Sequence, residues 1–249
     1  MHDGPRKMAS HECFSVPDPC LWLWAAAPLN VKPEIEAWAL WIVDLLLVDD
    51  VSWNQRQRAA ACEAFLAGSP VHIRCGPPPV GSITRESAAG WLYMASLPVA
   101  DRFKETSWEV HILPWARELA SLAGFKGTWR HPHIDAIVMA MLLMTRLDGL
   151  RKGGTSRSYA TARDGKERKK LVWRECIRIR QYLADVLPIT KDLPRRARGA
   201  FKEWWFTCLE WSRLAEAKGT ALWDEPILIT RGARIRIVWQ RWFGKLAFK

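Results

Sequence analysis

Sixteen tryptophans occur in 249 residues, and they constrain the fold more than any other feature of the chain. Each indole carries a large apolar surface, so most of them must lie inside a substantial core. The composition allows one, because 49% of the residues are apolar. The length fits one large domain or two small ones. The six cysteines are scattered with no CxxC pair, which argues against a zinc ribbon. Their wide spacing points to reduced thiols and a cytoplasmic setting. Met1 to Phe14 is polar, with no apolar signal-like core. The apolar run Ile134–Met144 is too short to span a bilayer, so no membrane partner is expected.

Hydrophobic patterning divides the chain near residue 125. Cys20–Ala27 (CLWLWAAA) reads as a buried strand, and Pro33 opens a helix carrying Ile35, Trp38, Ile42, Leu45 and Leu46 at helical spacing. Ser52 is placed to cap a helix over Trp53–Ala67 that Gly68 stops. Val71–Cys75 and Gly90–Leu97 read as strands, and Trp108–Leu122 as a helix kinked near Pro114. This order predicts an α+β fold whose first domain, residues 1–125, is ferredoxin-like, the fold of RNA-recognition modules. Residues 126–249 read as a basic helical domain, with helices over His133–Leu147, Lys166–Leu187 and Arg195–Lys218 and a stop at Gly219. Pro226–Thr230 and Arg234–Trp239, joined through Gly232, predict a terminal β-hairpin.

Charge is distributed even less evenly than the apolar residues. Arg146–Lys202 contains 17 basic and 6 acidic residues, and the remaining residues balance at 20 of each. The whole net charge of +11 therefore resides in one stretch, the footprint expected for a polyanion such as a phosphodiester backbone. Gly149–Gly165 (GLRKGGTSRSYATARDG) has no apolar period and supplies Arg151, Lys152, Arg157 and Arg163 to a cationic loop that closes on a bound strand. The next helix adds Lys169, Lys170, Arg174 and Arg178, and the following one begins with Arg195, Arg196 and Arg198. In a hairpin, Arg234 and Arg236 share a sheet face beside Arg231, a guanidinium row suited to consecutive phosphates. Trp173 and Trp239 lie beside this charge, where an indole can stack on an unpaired base.

Other candidate chemistry is weaker. Gly153-Gly154-Thr155-Ser156 lacks the order of a nucleotide-binding phosphate loop. Asp44, Asp49 and Asp50 cluster at a helix end without a second acidic motif, and His131-Pro132-His133 has poor metal-ligand spacing. No cofactor or metal is expected. Metal-free RNA cleavage needs a base to deprotonate a 2′-OH, and His72, His111, His131 and Tyr159 are open candidates.

Cys20–Leu97 by element order and Arg146–Arg241 by charge resemble the RNA-binding subunits of CRISPR ribonucleoproteins, including their repeat-processing endoribonucleases. That resemblance implies a subunit that holds RNA in a cationic cleft, has protein partners in a larger particle, and in some members cuts RNA without metal. The glycine-rich GxGxxxxxGxG stretch of the processing enzymes is not present; only Gly219, Gly232 and Gly244 occur near the C-terminus. The competing pattern is a DNA-binding winged helix, with Arg195–Lys218 as recognition helix and Pro226–Trp239 as wing.

Overall fold

The segments expected to be strands are helical or unpaired wherever the structure describes them. The structure is a computed structural model describing residues 20–47, 55–69, 77–79, 81–125, 131–152 and 164–243. It contains α1 (Cys20–Ala26), α2 (Lys32–Leu47), α3 (Gln55–Leu66), α4 (Arg85–Ser96), α5 (Val99–Arg102), α6 (Glu105–His111) and α7 (Leu113–Leu122). It continues with α8 (His131–Asp148), α9 (Gly165–Val186), α10 (Arg195–Lys218) and α11 (Arg231–Phe243), with short 3₁₀ turns between. No strand occurs among the described residues, so the α+β, ferredoxin-like expectation is corrected to an all-α fold.

Each error has a physical cause. Cys20–Ala27 is too short for its period to separate strand from helix, and the buried set Trp22, Leu23, Ala26 and Ala27 follows helical spacing. In α4 the buried positions run from Ser87 to Leu92 and from Met94 to Ser96, so the helix is enclosed on nearly every side and shows neither period clearly. In Arg234–Ile237 a two-residue alternation over four residues fits a strand and a helix alike. The structure resolves that ambiguity as α11, so the hairpin expected at Arg231, Arg234 and Arg236 and the wing of the winged-helix alternative are both replaced by a helix. Val71–Cys75, Ser52 and Trp53 lie outside the described residues.

The helical expectations agree more closely. The helix expected over Arg195–Lys218 is α10, residue for residue, and Gly219 ends it at φ +54°, a conformation costly for residues bearing a Cβ. α9 begins at Gly165 because Asp164 caps it, its carboxylate accepting the Glu167 backbone N–H at 2.7 Å. The kink expected near Pro114 is a break at Ile112, the residue joining α6 to α7.

α8 is the central helix, buried around most of its circumference from Ile134 to Leu147. It pairs antiparallel with α9: His133 Nδ1 near the start of α8 meets the Asp185 carbonyl near the end of α9 at 2.8 Å. α10 returns antiparallel to α9, with Trp205 Nε1 donating to Leu183 O (2.9 Å) and Arg180 paired to Glu216 (2.6 Å). α11 returns along α10, held by Arg236 to Glu210 and Arg241 to Glu203, both at 2.6 Å. Against this array packs the N-terminal part. Trp22 of α1 meets Phe201 edge-on and lies beside Trp204, both on α10. Trp38 and Trp41 of α2, Trp91 of α4, Trp108 of α6 and Trp115 of α7 form a second edge-to-face cluster. The tryptophans thus supply much of the core, as their number requires.

Helices α4 and α6 meet so closely that Gly90 has no room for a side chain. A Cβ there would lie 2.0 Å from the His111 carbonyl oxygen. The open side chain position at Gly165 has nothing within 4 Å. Gly90→Ala is therefore expected to destabilise the protein by about 1–3 kcal/mol through overpacking, despite better helix propensity. Gly165→Ala is expected to be neutral or stabilising by up to ~1 kcal/mol. Denaturant melts of the two variants check the contrast.

Candidate nucleic-acid interface

The cationic residues fall into two sets, one locked inside the protein and one left at its surface. The locked set centres on Glu175, whose side chain is 1% exposed. Arg174 donates to Glu175 at 2.9 and 3.1 Å, and Arg178 Nη1 at 3.2 Å. Arg178 Nη2 also donates to both Glu105 oxygens at 2.8 Å. Arg146, buried on α8, donates to Glu105 at 3.1 Å and to the Phe103 carbonyl. Burial pushes the Glu105 carboxyl upward, but hydrogen bonds and charge from Arg178 and Arg146 outweigh it and hold the group below its ordinary value. Burial likewise opposes the Arg178 charge, and the Glu105 and Glu175 carboxylates outweigh it, so the guanidinium is held more firmly protonated. Arg178 is expected from the sequence to contact nucleic acid, yet its geometry is that of a strut joining α9 to α6.

The surface set lies on the first half of α9. Lys166, Lys169 and Lys170 are exposed and take part in no ion pair among the described residues. Trp173 is 52% exposed, and Arg174 remains 60% exposed while touching Glu175. At 100° per residue, Lys166, Lys169, Lys170, Trp173 and Arg174 fall within an arc of about 140°. Lys166 to Arg174 spans ~12 Å of helix. The buried residues Leu171, Val172, Cys176 and Ile179 fasten the opposite side to the core and fix this rotation. Arg168 turns away from the arc and lies over Trp223, 5.0 Å from the ring centroid.

The remaining expected contacts are dispersed. Arg195 and Arg198 are exposed in the first turn of α10, where Arg198 Nε donates to Leu193 O at 2.9 Å. Arg231 and Arg234 are exposed at the start of α11, and Arg236 is tied to Glu210. In a helix Arg234 and Arg236 point about 200° apart, so the expected guanidinium row does not form. Arg151 and Lys152 end the 3₁₀ turn Gly149–Lys152, and their side chains lie outside the described residues, as do Arg157, Arg163 and the side chain of Arg196. Sequence reasoning overlooked Lys166, although its spacing of four from Lys170 marked it.

Nothing described here forms a catalytic centre around α9. His111 stacks on Tyr93 at 4.1 Å, and burial holds its imidazole below the ordinary value. His133 lies beside Asp185, ~18 Å along α9 from Trp173. His72, Tyr159, Asp49, Asp50 and the side chain of Asp44 are outside the described residues, and the described ones contain no group of three or more metal-ligating side chains. Cys20, Cys62, Cys176 and Cys208 are buried free thiols, and burial pushes Cys176 up to about 12. No described helix is long and apolar enough to cross a membrane. No protein-family model, curated protein or solved structure matches the chain.

The locked network generates its own prediction. Arg178→Ala leaves Glu175 dependent on a largely exposed Arg174, and is expected to cost about 2–3 kcal/mol at pH 7. Arg174→Ala is expected to cost under ~1 kcal/mol. Because Glu105 has a depressed pKa when folded, its contribution is present at neutral pH and disappears as pH falls through that value, below the ordinary carboxylate range near ~4.3. The Arg178→Ala penalty should therefore shrink by pH 3. Urea denaturation at the two pH values measures this.

Proposed function

We propose that this protein binds single-stranded nucleic acid along the exposed arc of α9. The observation that carries the reading is the arc itself: three lysines with no carboxylate partner among the described residues, followed by a half-exposed tryptophan on the same helix face. Ammonium groups at helical spacing displace counterions from a phosphate backbone. An indole beside them offers a stacking platform for a base, which duplex DNA does not present. Single strands are therefore preferred over duplex, and RNA is the form favoured by the family resemblance. That resemblance also implied a place in a CRISPR-type particle. Its element order over Cys20–Leu97 is replaced by helices wherever the structure describes it, so the proposal is confined to strand binding. Arg151, Lys152, Arg157 and Arg163 lead directly into α9 in sequence and add to the local positive charge.

Fluorescence anisotropy with a labelled 20-nucleotide RNA, the matching single-stranded DNA and a duplex of the same sequence tests the reading. Lys169→Gln with Lys170→Gln is expected to reduce the salt slope by about 1.4, from two lost phosphate contacts at ~0.7 each on a single strand. Trp173→Ala is expected to weaken binding by about 1–3 kcal/mol with little change in slope. Equal affinity of wild type and both variants, or no binding at 50 mM salt, would remove α9 from consideration.

A further inference from the structure

Helix α11 sits on the molecule with its more apolar side facing outward. Only Ala233 and Ile237 of its described side chains are buried, and they contact the rest of the protein along a narrow seam on α10. The opposite arc carries Ile235 (63% exposed), Val238 (45%) and Trp239 (65%), a spacing of three and four residues. Arg231 and Arg234 flank these residues on the same arc of about 140°. Leu228, 70% exposed in the extended segment before the helix, adds a fourth apolar group.

The rotation of α11 is fixed. Arg236 reaches Glu210 and Arg241 reaches Glu203 on α10, both at 2.6 Å, so two of the four arginines are tied inward. Gly199 on α10 helps seat this arrangement, since a Cβ there would come within 3.1 Å of the Arg241 side chain. A small rotation cannot bury Ile235, Val238 and Trp239 without breaking both ion pairs. A cluster of large apolar side chains held outward in this way marks a contact surface.

We infer that this face lies on an anionic lipid bilayer, with α11 parallel to the surface. Helix α11 contains four arginines and no acidic residue. An aliphatic and aromatic stripe with exposed arginines along it is the chemistry of an interfacial helix, in which Trp and aliphatic groups enter the headgroup boundary and guanidinium groups meet lipid phosphates. Charge complementarity selects this occupant over a second copy of the chain, because pairing two such faces would oppose arginine to arginine. The contact requires no membrane-spanning segment, and it is separate from the α9 arc.

Flotation of the full-length protein with vesicles tests the inference. The protein is expected to float with 70:30 phosphatidylcholine–phosphatidylglycerol vesicles at 100 mM salt and to stay behind with phosphatidylcholine alone. Arg231→Gln with Arg234→Gln should lower partitioning about 25-fold, roughly fivefold for each charge. Ile235→Ser, Val238→Ser and Trp239→Ser together should lower it at least about 100-fold. Their far-UV circular dichroism should stay at the wild-type level, because the replaced side chains are exposed. Failure to float with anionic vesicles overturns the inference, as does equal flotation with neutral ones or undiminished flotation of the triple-serine variant. A wild-type dimer in light scattering that the triple-serine variant converts to monomer would instead assign the face to self-association. Binding of a synthetic acidic amphipathic peptide in place of vesicles would assign it to a protein helix.

Discussion

A carboxylate removed from water cannot remain ionised without compensation, and the arrangement of three helices follows from how Glu175 is compensated. Its partners are Arg174 and Arg178 from its own helix, and Arg178 is shared with Glu105 on α6. Glu105 in turn holds Arg146 on α8. Each charge in this chain is balanced by the next, so α6, α8 and α9 have one mutual position in which all of them are satisfied. Burying such a network contributes less to stability than an equally well-packed apolar core would. Its consequence is definition of register, because sliding any of the three helices by one turn leaves a charge unpaired. The rotation of α9 is set by that register, and the rotation decides which of its basic residues reach water.

The charge balance of the sequence acquires a different meaning in this light. Several cations in the positively charged stretch serve carboxylates elsewhere in the chain: Arg146 and Arg178 serve Glu105, and Arg180 serves Glu216. Formal net charge therefore overstates the cationic surface that a ligand would meet in this region. The surplus is concentrated on the first half of α9, where Glu175 is buried and Asp164 caps the helix, while Glu167 is exposed among the lysines.

The parts of the fold legible in the sequence were those with long, unambiguous periods or clear punctuation. α10 is bounded by Pro194 and Gly219, and its buried Ala197, Phe201, Trp204, Cys208, Trp211 and Ala215 repeat at helical spacing over about five turns. The basic helix from residue 166 was visible for the same reason. Short runs failed because their patterns fit either period, and α4 failed because burial on nearly all sides removes the polar face that would have betrayed a helix. For the candidate site, the sequence marked the helix that carries the exposed lysines and the half-exposed Trp173 beside them. It did not separate Arg178 from Lys169 and Lys170, since the carboxylates that claim Arg178 include Glu105, 73 residues away. The outward face of α11 was hidden by the assignment of that segment to a strand, which put Ile235 and Ile237 on one side instead of opposite ones.

The docking of α1 on α10 has a temporal side. Trp22 finds its partners Phe201 and Trp204 about 180 residues further along the chain. The antiparallel run from α8 to α11 joins neighbours in sequence and can form as it emerges, whereas the contact of α1 with α10 must wait for those further residues to be made. At about 5–20 residues per second that delay is roughly 10–35 s. Throughout it Trp22 has Phe125 against one edge but not yet α10, so part of its indole stays uncovered in the nascent chain.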